Sequence, residues 1–197
     1  MNKLIIFIKN VVAGKVKTRI AKTMGHDKAM QAYRELLDHT RTVASNTDCE
    51  RNLYYSPSII EYDEWPNDQF QKKLQSGGDL GDRISAAFKQ ELQVKSKTII
   101  IGSDCGDLSS KILDLAFAKL EKYDVVLGPT FDGGYYLIGM NKYIPQLFED
   151  IPWSTEKVYP LTLTKVLLQG CSFFELPMLS DIDYEEDYVK WKASQNK

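Results

Sequence analysis

One stretch constrains the chain more than any other: Thr98-Ile99-Ile100-Ile101-Gly102-Ser103-Asp104-Cys105-Gly106-Asp107-Leu108. Its β-branched, apolar start, bounded by turn residues, is the pattern of a central parallel strand buried on both faces. Gly102 lets the chain turn sharply and lets another group approach the backbone. Asp104 then falls just past the strand's carboxyl end, the edge at which open α/β sheets collect ligands. A carboxylate there costs little if it is solvated or bound to a cation, and much if it is buried alone. Asp104 is therefore read as a ligand. Asp107, nearer Ser109 and Ser110, is read as the cap of the helix that follows.

The remaining chain alternates strand-like and helix-like segments. Lys3 to Lys9, Arg51 to Tyr55, Asp124 to Pro129 and Tyr135 to Met140 read as further strands. Asp27 to Ala44 fits a long amphipathic helix with Met30, Tyr33, Leu37 and Thr40 on its buried face. Asp79 is the N-cap of a helix carrying Leu80, Ile84, Ala87, Phe88 and Leu92 on one side. Ser109 to Glu121 is a helix, another runs to about Gln169 with Ser154 or Thr155 as cap, and Glu185 to Lys192 forms the last. Asp68 to Leu74 is expected to be a short helix, after an irregular polar stretch from Pro57 to Asn67 that covers a sheet edge or the site. This alternation predicts an α/β fold, a mainly parallel sheet flanked by helices, in a single domain spanning 1–197. A chain of 197 residues is long enough for one such core.

Charge and cysteine usage exclude several classes of function. A net charge of -2 argues against nucleic acid as the main partner, because such surfaces carry a basic excess. Three widely spaced cysteines, Cys49, Cys105 and Cys171, make neither a disulfide framework nor a zinc pattern. The run Leu4 to Ile8 is too short to span a membrane and has no signal-peptide cleavage site, so a cytoplasmic location is expected. His26 and His39 have no partner visible in the sequence and are read as structural. Cys105 lacks a histidine placed to activate it and is not taken as a nucleophile.

Chemistry concentrates in four further places. Lys9, Lys15, Lys17 and Arg19 surround Gly14 in the loop after the first strand. Cations and backbone N–H groups in such a loop can hold phosphates, although neither a P-loop nor a Rossmann glycine fingerprint is present. A solvated basic loop would look the same. Gly77-Gly78-Asp79 leads into a helix whose N-terminus, with Arg83, suits an anion or a base edge, or serves only as a glycine turn and cap. Asp132-Gly133-Gly134 places a carboxylate on a loop that a ligand can approach closely, and is equally a common turn between strands. Trp153 is read first as a packed aromatic, with stacking on a substrate as the alternative. Finally, Asp181 and Asp183 flank Ile182, and strand-like residues two apart share a face. Two carboxylates on one face, together with Asp104, suit Mg²⁺ or Mn²⁺.

These segments resemble the successive motifs of a bacterial glycosyltransferase-like family with the A-type nucleotide-diphospho-sugar transferase fold, similar to the phospholactate and molybdenum-cofactor guanylyltransferases. The matching residues are Lys9…Gly14-Lys15-Val16-Lys17-Thr18-Arg19, Gly78-Asp79-Leu80-Gly81-Asp82-Arg83, Ile101 to Leu108, Gly128 to Gly139, Pro152-Trp153-Ser154-Thr155 and Asp181-Ile182-Asp183. The resemblance covers nearly the whole chain in order. It implies that Lys17 and Arg19 face nucleotide phosphates; Lys9 and Gly14 of the same loop, with Gly78, Asp79 and Arg83 at the helix start, are taken as the rest of the nucleotide site. It also implies that Asp104 and Asp183 bind the metal and that Asp132, Gly133 and Gly134 lie in the acceptor half of the cleft, where Trp153 is also placed. The chain departs from the pattern at Gly106, where proline is expected and whose glycine should loosen the turn after Asp104. Asn10 and Val11 replace a proline-containing start to the basic loop.

The expected function is metal-dependent transfer from a nucleotide donor, with Asp104, Asp132 and Lys17 as the catalytic set. One form is glycosyl transfer from a nucleotide sugar to a small-molecule acceptor. The alternative joins a nucleoside triphosphate to a phosphorylated acceptor and releases pyrophosphate. A third reading, kept open by Gly106, is a non-catalytic nucleotide-binding protein. The oligomeric state is left open.

Overall fold

The computed structural model describes residues 1–92 and 96–195. In chain order the elements are β1 (Asn2–Lys9), α1 (Thr18–Met24), α2 (His26–Ser45), β2 (Glu50–Ser56), β3 (Gln71–Leu74), α3 (Leu80–Glu91), β4 (Lys97–Ile101), α4 (Ser110–Lys119), β5 (Val125–Pro129), β6 (Tyr135–Met140), α5 (Val158–Leu168), β7 (Phe173–Glu175) and α6 (Glu185–Gln195). A 3-10 turn, Pro145–Leu147, precedes α5.

The strands form one seven-stranded sheet in the order β3-β2-β1-β4-β6-β5-β7. Every pairing is parallel except the two made by β6, which runs antiparallel to both β4 and β5. The fold is thus α/β with a mainly parallel sheet, as the alternation predicts. From β1 the chain steps outward through β2 and β3, then returns to the other side of β1 as β4. The carboxyl ends of β1 and β4 therefore flank the point where the winding direction reverses, which in open α/β sheets forms a crevice.

The apolar strands bury both faces because helices cover both. In β1, Leu4, Ile6 and Ile8 join Val43 of α2 and Leu113 and Phe117 of α4. The alternate Ile5 joins Ile84 and Phe88 of α3 and Val166 of α5, as the two-residue period of a strand requires. A third cluster knits α1, α2 and α6 through Ile20, Leu36, Ile182, Tyr188 and Trp191.

Several local expectations are corrected. Residues Gln71–Leu74 are not a helix but the edge strand β3, pairing Asn52↔Gln71 to Tyr55↔Leu74 along β2. Lys72 and Lys73 bond Asp63 and Glu91 from this strand, so tertiary pairing overrides local propensity. Asp107 does not cap α4: Ser109 holds the cap position, with no side-chain cap bond. Neither Ser154 nor Thr155 occupies the cap position of α5, which begins at Val158 after Lys157. Ser154 instead takes a left-handed φ of 65°, while Thr155 Oγ1 accepts from the Lys157 N–H. The buried stripe of α2 runs through Ala29, Ala32, Tyr33, Leu36 and Thr40, with Met30 and Leu37 at its margins. Leu80 is 43% exposed rather than buried, because the first turn of α3 faces an open cleft. Helix α1 is an addition to the expected elements: it grows directly out of the basic loop.

Candidate active site

A cleft of about 680 Å³ opens at the carboxyl ends of β1 and β4. The end of β4, the basic loop, the start of α3 and the Asp181–Asp183 segment line it. The structure brings Lys9, Lys17, Arg19, Gly78, Asp79, Arg83, Asp104 and Asp183 to this one cleft. It leaves Gly14, Asp132, Gly133, Gly134 and Trp153 outside the lining.

The basic loop turns at Gly14 with a φ of 74° and closes a tight turn, Lys15 N–H to Val12 O. Lys17 then takes a left-handed conformation, φ 44° and ψ 46°, immediately before α1. A non-glycine residue held there is strained, and such strain collects at functional sites. Its side chain is only 4% exposed, and Nζ lies 2.6 Å from Asp104 Oδ1 and 3.5 Å from Asp183 Oδ1. Arg19 takes the other oxygen of Asp183 and lies 5.4 Å from the centroid of the Tyr184 ring.

The acidic side is fixed by backbone contacts. Ile182 N–H donates to Asp104 O at 2.8 Å, and Cys105 bridges Asp181. The N–H groups of Asp183 and Tyr184 both donate to Asp187 Oδ2, tying the segment to the first turn of α6. Trp191 Nε1 donates to Gly106 O at 2.9 Å. A Cβ on Gly106 would lie 2.6 Å from that nitrogen. Glycine at this position is required by the indole, so the turn after Asp104 is pinned rather than loosened. The Cys105 thiol, 4% exposed, is pushed up to about 12 by burial and stays protonated.

The two-residue spacing pairs Asp181 with Asp183 on one face, while the metal pair implied by the family resemblance, Asp104 and Asp183, omits it. Asp181 lines the cleft, and burial, then the charges of Asp104 and Asp132, push its carboxyl up to about 7 against the pull of Lys17. Tyr33 reads from the sequence only as core. Its hydroxyl accepts from Lys9 N–H, donates to Lys9 O and sits 3.4 Å from Ser103 Oγ, locking the end of β1 to the turn after β4. Gln75 carries no sequence signal at all: its Nε2 donates to the carbonyls of Ile8 and Tyr54 at the sheet edge.

At the start of α3, Asp79 Oδ1 accepts from Asp82 N–H at 2.9 Å, the cap that its position predicts. Arg83 reaches back to Gly78 O. Asp132 Oδ1 accepts from Thr130 Oγ1 and Gly134 N–H, closing the β5–β6 turn on itself. Gly133, φ 87°, packs on the backbone of Glu156, which a Cβ would meet at 2.3 Å. Trp153 covers Gly81 and meets the Tyr135 ring edge-on at 6.4 Å.

The donor chemistry fits a hard divalent cation. Asp104 and Asp183 are oxygen donors close enough to share one ammonium, and burial, with the neighbouring carboxylates second, raises the third, Asp181. Among the described residues no group of three or more His, Cys, Asp or Glu is placed to hold a metal ion.

Residues 37–155 match the sequence profile of a family described as an uncharacterized protein conserved in bacteria (DUF2064). The chain belongs to that family. Its structure aligns with a Desulfovibrio desulfuricans G20 protein provisionally named a nucleotide-diphospho-sugar transferase, at TM-score 0.90 and 30% identity over 100% of this chain and 88% of that one. It also aligns with the inositol-1-phosphate CTP transferase of T. maritima, at TM-score 0.62 and 14% identity over 98% and 95% of the two chains. The 2-C-methyl-D-erythritol 4-phosphate cytidylyltransferase of Thermus thermophilus aligns at TM-score 0.60 and 10% identity over the full length of both. The last two share the fold alone. The DUF2064 chain thus has the nucleotide-diphospho-sugar transferase fold that its motifs resemble. No curated protein sequence matches it. Among the described residues no helix is long and apolar enough to cross a membrane.

Proposed function

We propose that the chain is a metal-dependent transferase that takes a nucleotide donor in the cleft and passes a glycosyl group to a small acceptor. The observation that carries this reading is the meeting of Lys17 with Asp104 and Asp183 at the switch point of the sheet. The fold supports the reading, and the 30%-identical relative bears a name of that class.

Asp104 and Asp183 would hold Mg²⁺ or Mn²⁺, which when bound supplies Lewis-acid neutralisation of phosphate oxygens. The chain's own groups do the rest. Lys17 and Arg19, with Lys15 at the same wall, neutralise the departing diphosphate. The acceptor hydroxyl oxygen forms a bond to the sugar's anomeric carbon, and the carbon–oxygen bond to the diphosphate breaks. The electron pair leaves with the nucleoside diphosphate, and the acceptor proton passes to a carboxylate at the cleft mouth or to solvent. In this reading Asp132 orients the acceptor from the β5–β6 turn, just beyond the residues that line the cleft.

A second reading is nucleotidyl transfer with pyrophosphate release. The specific observation behind it is the number of cations on one cleft, Lys9, Lys15, Lys17, Arg19 and Arg83, enough to match a triphosphate. A non-catalytic role loses its motive, because Gly106 answers to Trp191.

The test is a thermal-shift screen of nucleotide sugars and nucleoside triphosphates with and without Mg²⁺ or Mn²⁺, followed by product analysis. A ligand that binds only the native state raises its stability. The expected result is a metal-dependent shift with a nucleotide sugar, lost in Asp104→Ala, and release of a nucleoside diphosphate. Pyrophosphate release from a triphosphate selects the second reading. No shift with any nucleotide at millimolar concentration overturns both.

A further inference from the structure

We propose that the Lys17 ammonium is the resident counter-ion of Asp104 and Asp183, and that it couples the divalent cation to the nucleotide. The inference rests on the proposed nucleotide site for the identity of the second ligand. Its own footing is the geometry of the free protein.

Both candidate metal carboxylates are already paired with protein cations. Lys17 Nζ contacts one oxygen of each, and Arg19 contacts the second oxygen of Asp183. The Lys17 side chain is 4% exposed, so its charge depends on these partners rather than on water. Its left-handed backbone aims the stem into the site from the start of α1. A divalent cation arriving on Asp104 and Asp183 would stand within a few ångströms of this ammonium and be repelled by it. The ammonium can withdraw only to another anion, and its four-carbon stem is flexible enough to do so. In this cleft that anion is the nucleotide's phosphate group. Phosphate therefore draws Lys17 off the carboxylates and frees them for the cation. The same exchange read backwards makes the cation strengthen nucleotide binding by the same factor.

The experiment measures Mn²⁺ binding to the free protein by electron paramagnetic resonance, for the wild type, Lys17→Met and Lys15→Met. Lys15 lines the same cleft but, unlike Lys17, is not bound to either carboxylate, so it controls for a general loss of positive charge. The expected result is weak Mn²⁺ binding by the wild type, at least tenfold tighter binding by Lys17→Met, and a change under threefold for Lys15→Met. Equal affinities for wild type and Lys17→Met, or an equal gain in Lys15→Met, overturn the inference. Should Lys17→Met fail to fold, the wild type alone decides. Its Mn²⁺ affinity, corrected for the metal complex in solution, must rise at least tenfold with a saturating nucleoside diphosphate, and an unchanged value overturns the coupling. A nucleoside diphosphate that binds neither with nor without Mn²⁺ counts against the nucleotide site, while the Mn²⁺-only comparison still judges Lys17.

Discussion

Substituting Gly106 by alanine tests how the C-terminal helix holds the acidic side of the cleft. The backbone at Gly106 is not in the left-handed region, so the effect is purely steric. The new Cβ would lie 2.6, 2.7 and 2.9 Å from Nε1, Cδ1 and Cε2 of Trp191. The indole must retreat by about 0.8 Å to restore an ordinary 3.4 Å contact. That retreat strains or breaks the 2.9 Å bond from Trp191 Nε1 to Gly106 O. Trp191 is 6% exposed and packed with Ile182 and Tyr188, so there is little room to yield. A buried donor left unpaired costs about 1–3 kcal/mol, and overpacking typically adds about 1–3 kcal/mol. The expected loss is therefore about 2–6 kcal/mol, or roughly 4–24 °C in Tm for a chain of this length. Urea denaturation of Gly106→Ala, Trp191→Leu and the double variant measures it. In the double variant the clash is absent, so the two single costs must fall short of additivity. A Gly106→Ala protein within about 0.5 kcal/mol of the wild type, the range usual for inconsequential surface changes, refutes the argument and makes the indole contact incidental.

The Tyr33 hydroxyl is pushed up to about 12, chiefly by burial, from an ordinary value of 10.0. A raised folded value means that its contribution is complete below pH 10 and is lost as the pH rises towards 12. At roughly 1.4 kcal/mol per unit the loss is about 2–3 kcal/mol. Tyr33→Phe should remove that part of the alkaline decline in a stability–pH series, and an unchanged slope speaks against it. Among the thiols, Cys105 is 4% exposed and raised to about 12, Cys49 is raised to about 11, and Cys171 is only partly buried. Maleimide labelling of the native protein at pH 8 should modify Cys171 first and Cys105 last, as mapped by peptide mass spectrometry. Early modification of Cys105 would mean that the turn after β4 opens.

The readable parts of the fold are those with a strong local pattern. The β-branched runs of β1, β4 and β5 and the cap at Asp79 declare themselves because their cause lies within a few residues. β3 does not, because Gln71–Leu74 is four residues long and becomes a strand only by pairing with β2. Helix α1 is hidden inside a loop that reads by its charges, its first turn entered through a strained lysine. In the site, Asp104 and Asp183 are legible by position and spacing. Tyr33 and Gln75 are not, since each acts through bonds to backbone atoms far away in sequence.

By itself, then, the sequence determined the alternation of strands and helices, the carboxylate after the central strand and the cations after the first, because each depends on neighbours along the chain. Only the tertiary structure decided which of those charges meet. Lys17 reaches Asp183 across 166 residues, and Trp191 dictates the glycine at position 106 across 85. Both contacts are set by the order of strands in the sheet and by where α6 docks, and no local pattern encodes either.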